Sequence, residues 1–113
     1  MRVAIEGCSH GELDAIYASI AALDARASQP AAAGASGSSS TAAAAPATRT
    51  QLLLLCGDVQ AARNAADLAC IAMPDKYLQL GDFAHYYSGV KVAPILTLVI
   101  GGNHEASNYM HEL

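Results

Sequence analysis

The sequence has no tryptophan and a single phenylalanine, and aromatic residues fill only 5% of its 113 positions. Any core must therefore be built mainly from Leu, Ile and Val. Charge is scarce too, at 14%, and the six basic residues, Arg2, Arg26, Arg49, Arg63, Lys76 and Lys91, are scattered. With a net charge of −4, a general nucleic-acid coat is excluded, because binding phosphates without metal needs a basic stripe. A bound metal would supply the missing positive charge. Cys8, Cys56 and Cys70 are odd in number and lack C-x-x-C spacing, which excludes a disulfide framework and a structural zinc knuckle and points to a reducing compartment. No apolar run approaches the roughly 18 to 20 residues that span a bilayer. Met1 to Gly7 is too short, and at Glu6 too acidic, for a signal peptide, so neither secretion nor membrane insertion is expected.

Of the 53% of positions scored hydrophobic, many are alanine, which buries little. The stretch from Ala27 to Thr50 has no Leu, Ile, Val or aromatic residue, so nothing in it offsets the entropy of ordering. The expectation is one α/β domain in two parts, residues 1–26 and 51–113, separated by a disordered Ala/Ser-rich insertion at 27–50. A long loop is tolerated because closure entropy grows only slowly with length.

Three β-like runs frame that domain: Arg2 to Glu6, Leu52 to Cys56 and Ile95 to Ile100. The last two are almost continuously apolar, as in strands buried on both faces of a parallel sheet. Between the first two, Leu13, Ile16, Tyr17, Ile20 and Leu23 recur at helical spacing and predict an amphipathic helix, hence a β-α-β unit. A second helix is expected over Ala61 to Met73, stopped by Pro74. Cys56 and Cys70, on an apolar strand and an apolar helix face, read as buried core thiols.

Each strand runs into a polar turn bearing glycine: Gly7-Cys8-Ser9-His10-Gly11, Gly57-Asp58, and Gly101-Gly102-Asn103-His104-Glu105. Parallel sheets put their sites at the carboxyl ends of the strands. Such turns bring Cys8, His10, Asp58, Asn103 and His104 to one sheet edge, a set rich in metal-ligand atoms. Singly, each has an ordinary explanation as a turn, cap or surface residue. Their occurrence in order, at three successive strand ends, points to a metal site.

These blocks resemble the calcineurin-like metallophosphoesterase superfamily, with its D-x-H, G-D and G-N-H-D/E blocks, and within it the RNA lariat-debranching group. The longer matches are MRVAIEGCSHGELDAIY, LLLLCGDVQAARNAADL, YYSG at Tyr86 to Gly89, and APILTLVIGGNHEASNYMHEL. Cysteine in place of the first aspartate is unusual outside that group. The resemblance implies a metallophosphoesterase-type sheet flanked by helices, of which this chain holds the first half. It also implies that Cys8, His10 and Asp58 hold one divalent ion, that Asp58 with Asn103 begins a second, and that His104 protonates the leaving oxygen. A thiolate beside an imidazole favours Fe2+, Zn2+ or Mn2+ over magnesium. The implied substrate is branched lariat RNA, opened at its 2′-5′ phosphodiester in the nucleus.

Glu105 reads either as a partner for the His104 ring or as a solvated glutamate. Arg63, Asn64 and Asp67 either line the site or are exposed polar positions, and His85 and His111 match no family block. The family's two later histidine blocks have no counterpart before Leu113. The expectation is therefore an amino-terminal piece, incomplete for catalysis by itself. Another metallophosphoesterase, such as a phosphomonoesterase or nucleotidase, and a non-catalytic α/β fragment are the competing readings.

Overall fold

The computed structural model describes residues 1–29 and 49–113. Three parallel strands, β1 (Arg2–Glu6), β2 (Thr50–Leu55) and β3 (Leu96–Val99), form one sheet in the order β1-β2-β3. They lie within a residue or two of the expected runs. The first helix, α1 (Leu13–Ala27), links β1 to β2. Most of the segment read as a disordered insertion, residues 30–48, lies outside the described residues, while Ala27 closes α1 and Thr50 opens β2.

Side chains alternate across a strand, and the pairing Val3 with Leu52 with Leu96, then Ile5 with Leu54 with Leu98, fixes which residues share a face. On the opposite face, Leu53 and Leu55 pack with Leu13, Tyr17 and Ile20 of α1 and with Val59 in the main core. Full burial of such aliphatic side chains contributes about 1.5–3 kcal/mol each, so α1 is held chiefly by this stripe. Alanine-rich composition, Asp14 in the first turn and Arg26 in the last favour the helix locally. Leu23, expected on the stripe, is exposed instead.

Polar contacts set the helix in place. Its start receives the Asp82 carboxylate, which accepts from the Asp14 amide at 2.9 Å. Near its end, Asp24 accepts from the amide and hydroxyl of Thr50, both at 2.9 Å, and pairs with Arg2. Tyr17 and Thr97 share a hydroxyl hydrogen bond of 2.8 Å that ties α1 to β3. In the YYSG segment, Tyr86 donates to Asp14 at 2.7 Å, and Tyr86 belongs to a short helix, α3 (Phe83–Tyr87).

Three expectations need correction. β3 is not buried on both faces: Leu96 is 65% exposed and Leu98 52%, because the described residues leave the Val3, Ile5, Leu52 and Leu54 face of the sheet largely open. No helix runs from Ala61 to Met73. Only α2 (Ala65–Leu68) forms, since Asn64 sits extended and its side chain caps the amides of Ala66 and Asp67. The amide of Ala61 is taken by a distant carboxylate, that of Glu105. Cys56 and Cys70 are exposed: Cys56 continues the alternation of β2 away from α1, and Cys70 lies in the turn that ends α2.

Candidate metal centre at the strand ends

The turns after the three strands are tied to one another through Asp58. Its backbone carbonyl accepts from the His10 amide at 2.7 Å. Its side-chain Oδ1 accepts from the His104 amide at 3.0 Å. Asp58 is 5% exposed, so the turn after β2 is clamped between those after β1 and β3. Three residues here hold a left-handed backbone without being glycine: His10 at φ 45°, Asp58 at 36° and Gln60 at 55°. Such conformations cost about 1–3 kcal/mol each and cluster at functional sites, where the surrounding bonds enforce them. Gly102 shows why that position is glycine, since a Cβ there would stand 2.1 Å from Asp58 Oδ1.

Sulfur of Cys8, nitrogen of His10 and oxygen of Asp58 all lie within 4.8 Å of one another. Bonds from an ion to such donors are about 2.0–2.3 Å, so ligands of one ion stand up to about 4.6 Å apart and the trio needs little adjustment to fit. A soft thiolate, an imidazole and a carboxylate together suit a transition-metal ion. The amide of His104, and secondarily the imidazoles of His104 and His10, hold the Asp58 carboxyl below its ordinary value. Desolvation, then the neighbouring Asp58 carboxylate, raises the Cys8 thiol above its ordinary value. An incoming cation would therefore displace the thiol proton.

His104 joins the edge without entering the trio. Its ring centre lies 6.3 Å from that of His10, and its Nδ1 is 3.0 Å from the carbonyl oxygen of Ala72. A carbonyl only accepts, so Nδ1 is the donor in this contact. Asn103 is exposed on the same turn, between Gly102, which abuts Asp58, and His104. All five expected residues thus share one sheet edge.

Neither reading of Glu105 survives. It is 6% exposed and accepts from the amides of Val59 at 2.6 Å, Ala61 at 2.7 Å and Gly102 at 3.4 Å, not from the His104 ring. It braces the loop that carries Asp58. Nothing in the sequence distinguishes such a glutamate from a solvated one. Nor do Arg63, Asn64 and Asp67 line the metal edge: Asn64 caps α2, and Asp67, 1% exposed, is paired with Arg63 and accepts from Asn108. Arg63 also pairs with Glu112 near the last helix, α4 (Ser107–Met110). His85 and His111 are exposed, as their lack of a block suggested.

No protein-family model matches the chain. Across all 113 residues it is 49% identical to lariat debranching enzyme A of Xenopus laevis, 50% to the lariat debranching enzyme of Homo sapiens and 43% to that of Arabidopsis thaliana. It covers 18%, 17% and 22% of those proteins respectively, so it spans about a fifth of the length of the curated relatives it matches. Along its whole length, the chain is similar to the amino-terminal part of lariat debranching enzymes.

Proposed function

We propose that this chain supplies the first half of a metal-dependent phosphodiesterase centre, and that a protein of its relatives' length hydrolyses the 2′-5′ phosphodiester at the branch point of lariat RNA. The observation that carries this reading is the convergence of Cys8, His10 and Asp58 within 4.8 Å at the sheet edge, on a chain 50% identical to a lariat debranching enzyme. The parallel sheet is then the opening part of a metallophosphoesterase fold, with an Ala/Ser-rich insertion between α1 and β2.

Cys8, His10 and Asp58 would hold one divalent ion, Fe2+, Zn2+ or Mn2+, and Asp58 with Asn103 would begin a second. When bound, such ions lower the pKa of water and neutralise charge developing on phosphorus. The chain's own groups do the rest. Asp58 is kept ionised by the His104 amide and its position fixed by three turns. With both ring nitrogens protonated, His104 would keep its Nδ1 proton on the Ala72 carbonyl and give the Nε2 proton to the departing ribose oxygen, ending as the neutral imidazole. The reaction belongs in the nucleus, where excised introns are found.

The deciding experiment uses a protein of full length. It should linearise a branched RNA, and His104→Ala should reduce turnover by about 10²- to 10⁴-fold, the usual weight of general acid catalysis, with metal content retained. Cys8→Ala should lower both metal content and rate. Equal cutting of ordinary 3′-5′ RNA, or hydrolysis of a phosphomonoester only, would overturn the debranching reading in favour of a general metallophosphoesterase.

A further inference from the structure

A cavity of about 600 Å³ opens beside the metal edge, with His10 and His104 both on its wall. That volume lies in the range of small-molecule sites, about 300–1,000 Å³. The segment running from Ala72 to Gly81 borders it and is anchored at both ends to the turns of the metal edge. At one end the Ala72 carbonyl holds the His104 ring. At the other, Gly81 packs so tightly on Gly11 that a Cβ would stand 2.8 Å from the Gly11 Cα, and the next residue, Asp82, donates its amide to the Gly11 carbonyl at 3.0 Å.

Between those anchors the segment presents Tyr77, 58% exposed. Tyr87, also well exposed, packs on Phe83 and Tyr109. Tyr77 has no aromatic partner among the described residues and meets instead the Lys76 ammonium, 4.6 Å from its ring centre. Lys76 is the single lysine or arginine on the cavity wall, and Gln60 and Glu12 add hydrogen-bonding groups. An exposed tyrosine, one cation and a few polar groups match a nucleotide, whose base stacks and whose phosphate pairs.

We propose that this cavity is a subsite for one nucleotide of single-stranded RNA next to the scissile phosphate, with Tyr77 as the platform for its base and Lys76 as the contact for its phosphate. The assignment rests on the phosphodiesterase reading for its place in the reaction, but base stacking on Tyr77 needs no metal.

The chain has no tryptophan, so Tyr77→Trp installs a single reporter in the cavity. Titrating it with a five-residue 3′-5′ oligoadenylate in EDTA should quench its emission saturably, whereas inorganic phosphate should not. Anisotropy of the labelled oligonucleotide should show binding weakened about tenfold by Tyr77→Ala, the scale of one lost stack, and recovered by Tyr77→Phe. Lys76→Gln should flatten the salt dependence by about 0.7 in log–log slope. Circular dichroism on each variant separates misfolding from lost contact. Tyr77→Ala binding like the parent, unresponsive emission, equal quenching by phosphate, or no binding by the parent would each overturn the subsite. Because metal is absent throughout, failure of the phosphodiesterase reading shows as missing cleavage and leaves this binding result intact.

Discussion

Glu105 accepts a hydrogen bond from the backbone amide of Val59, 46 residues earlier in the chain, at 2.6 Å. Its second carboxylate oxygen takes the Ala61 amide, so one buried side chain fixes the loop on which Asp58 holds its left-handed backbone. Glu105→Ala strands three amides, that of Gly102 the most weakly held at 3.4 Å, and should cost about 2–4 kcal/mol in urea denaturation, given hydrogen bonds to a charged acceptor. Glu105→Gln keeps one acceptor and should cost less. Equal stability of parent and Glu105→Ala would rule out the bracing role.

Gly102 and Asp58 leave no room for a methyl group. Gly102→Ala should displace the carboxylate and weaken zinc binding by tenfold or more in isothermal titration. Gly101→Ala is the control, since its Cβ would meet Met110 and Glu105 only at 3.4 and 3.5 Å. A smaller effect at Gly102 than at Gly101 would contradict the close packing.

Metal retention should fall further with Asp58→Ala than with Asn103→Ala. On the proposed assignment the carboxylate would serve both ions and the neutral amide only one. Cys8→Ser should move preference from zinc toward manganese, because sulfur is the soft donor of the set. Tight stoichiometric binding unaffected by Asp58→Ala, measured by elemental analysis after dialysis, would defeat the assignment.

Acid should destabilise the chain through Asp67 among others. Hydrogen bonds from the Arg63 side chain first, then the Arg63 amide and Asn108, hold its carboxyl well below the carboxylate range. The unfolded chain, with Asp near about 3.9, binds protons at higher pH than the folded one. This contribution is therefore complete above that value and is lost as pH falls through the folded one. Asp58, Asp24 and Asp14 shift in the same direction. In EDTA, the urea midpoint should drop below about pH 4, and Asp67→Asn should lower it at neutral pH while making the drop shallower.

The candidate site was legible because its residues follow strands. Gly-Asp after LLLLC and Gly-Asn-His after ILTLVI mark where a parallel sheet ends, and short-range pattern suffices to find such places. The role of Asp82 at the start of α1 left no such mark: it reaches Asp14 across 68 residues, and the Gly-Asp-Phe around it reads as an ordinary turn. The placing of Tyr77 and Lys76 beside the histidines was equally hidden, since it follows from how Gly81 meets Gly11.

Short apolar runs and helical spacing determined β1, β2, β3 and α1, because both patterns lie in residues that are neighbours along the chain. Which face each strand buries is a separate matter. Leu96 and Leu98 are as apolar as Leu53 and Leu55, yet the first two stand in the open and the latter two are sealed beneath α1. Likewise, Ala61 to Met73 has the composition of a helix, but its early amides and caps are claimed by Glu105 and Asn64. Burial and competition for backbone hydrogen bonds depend on partners remote in sequence, so the tertiary structure alone decided them.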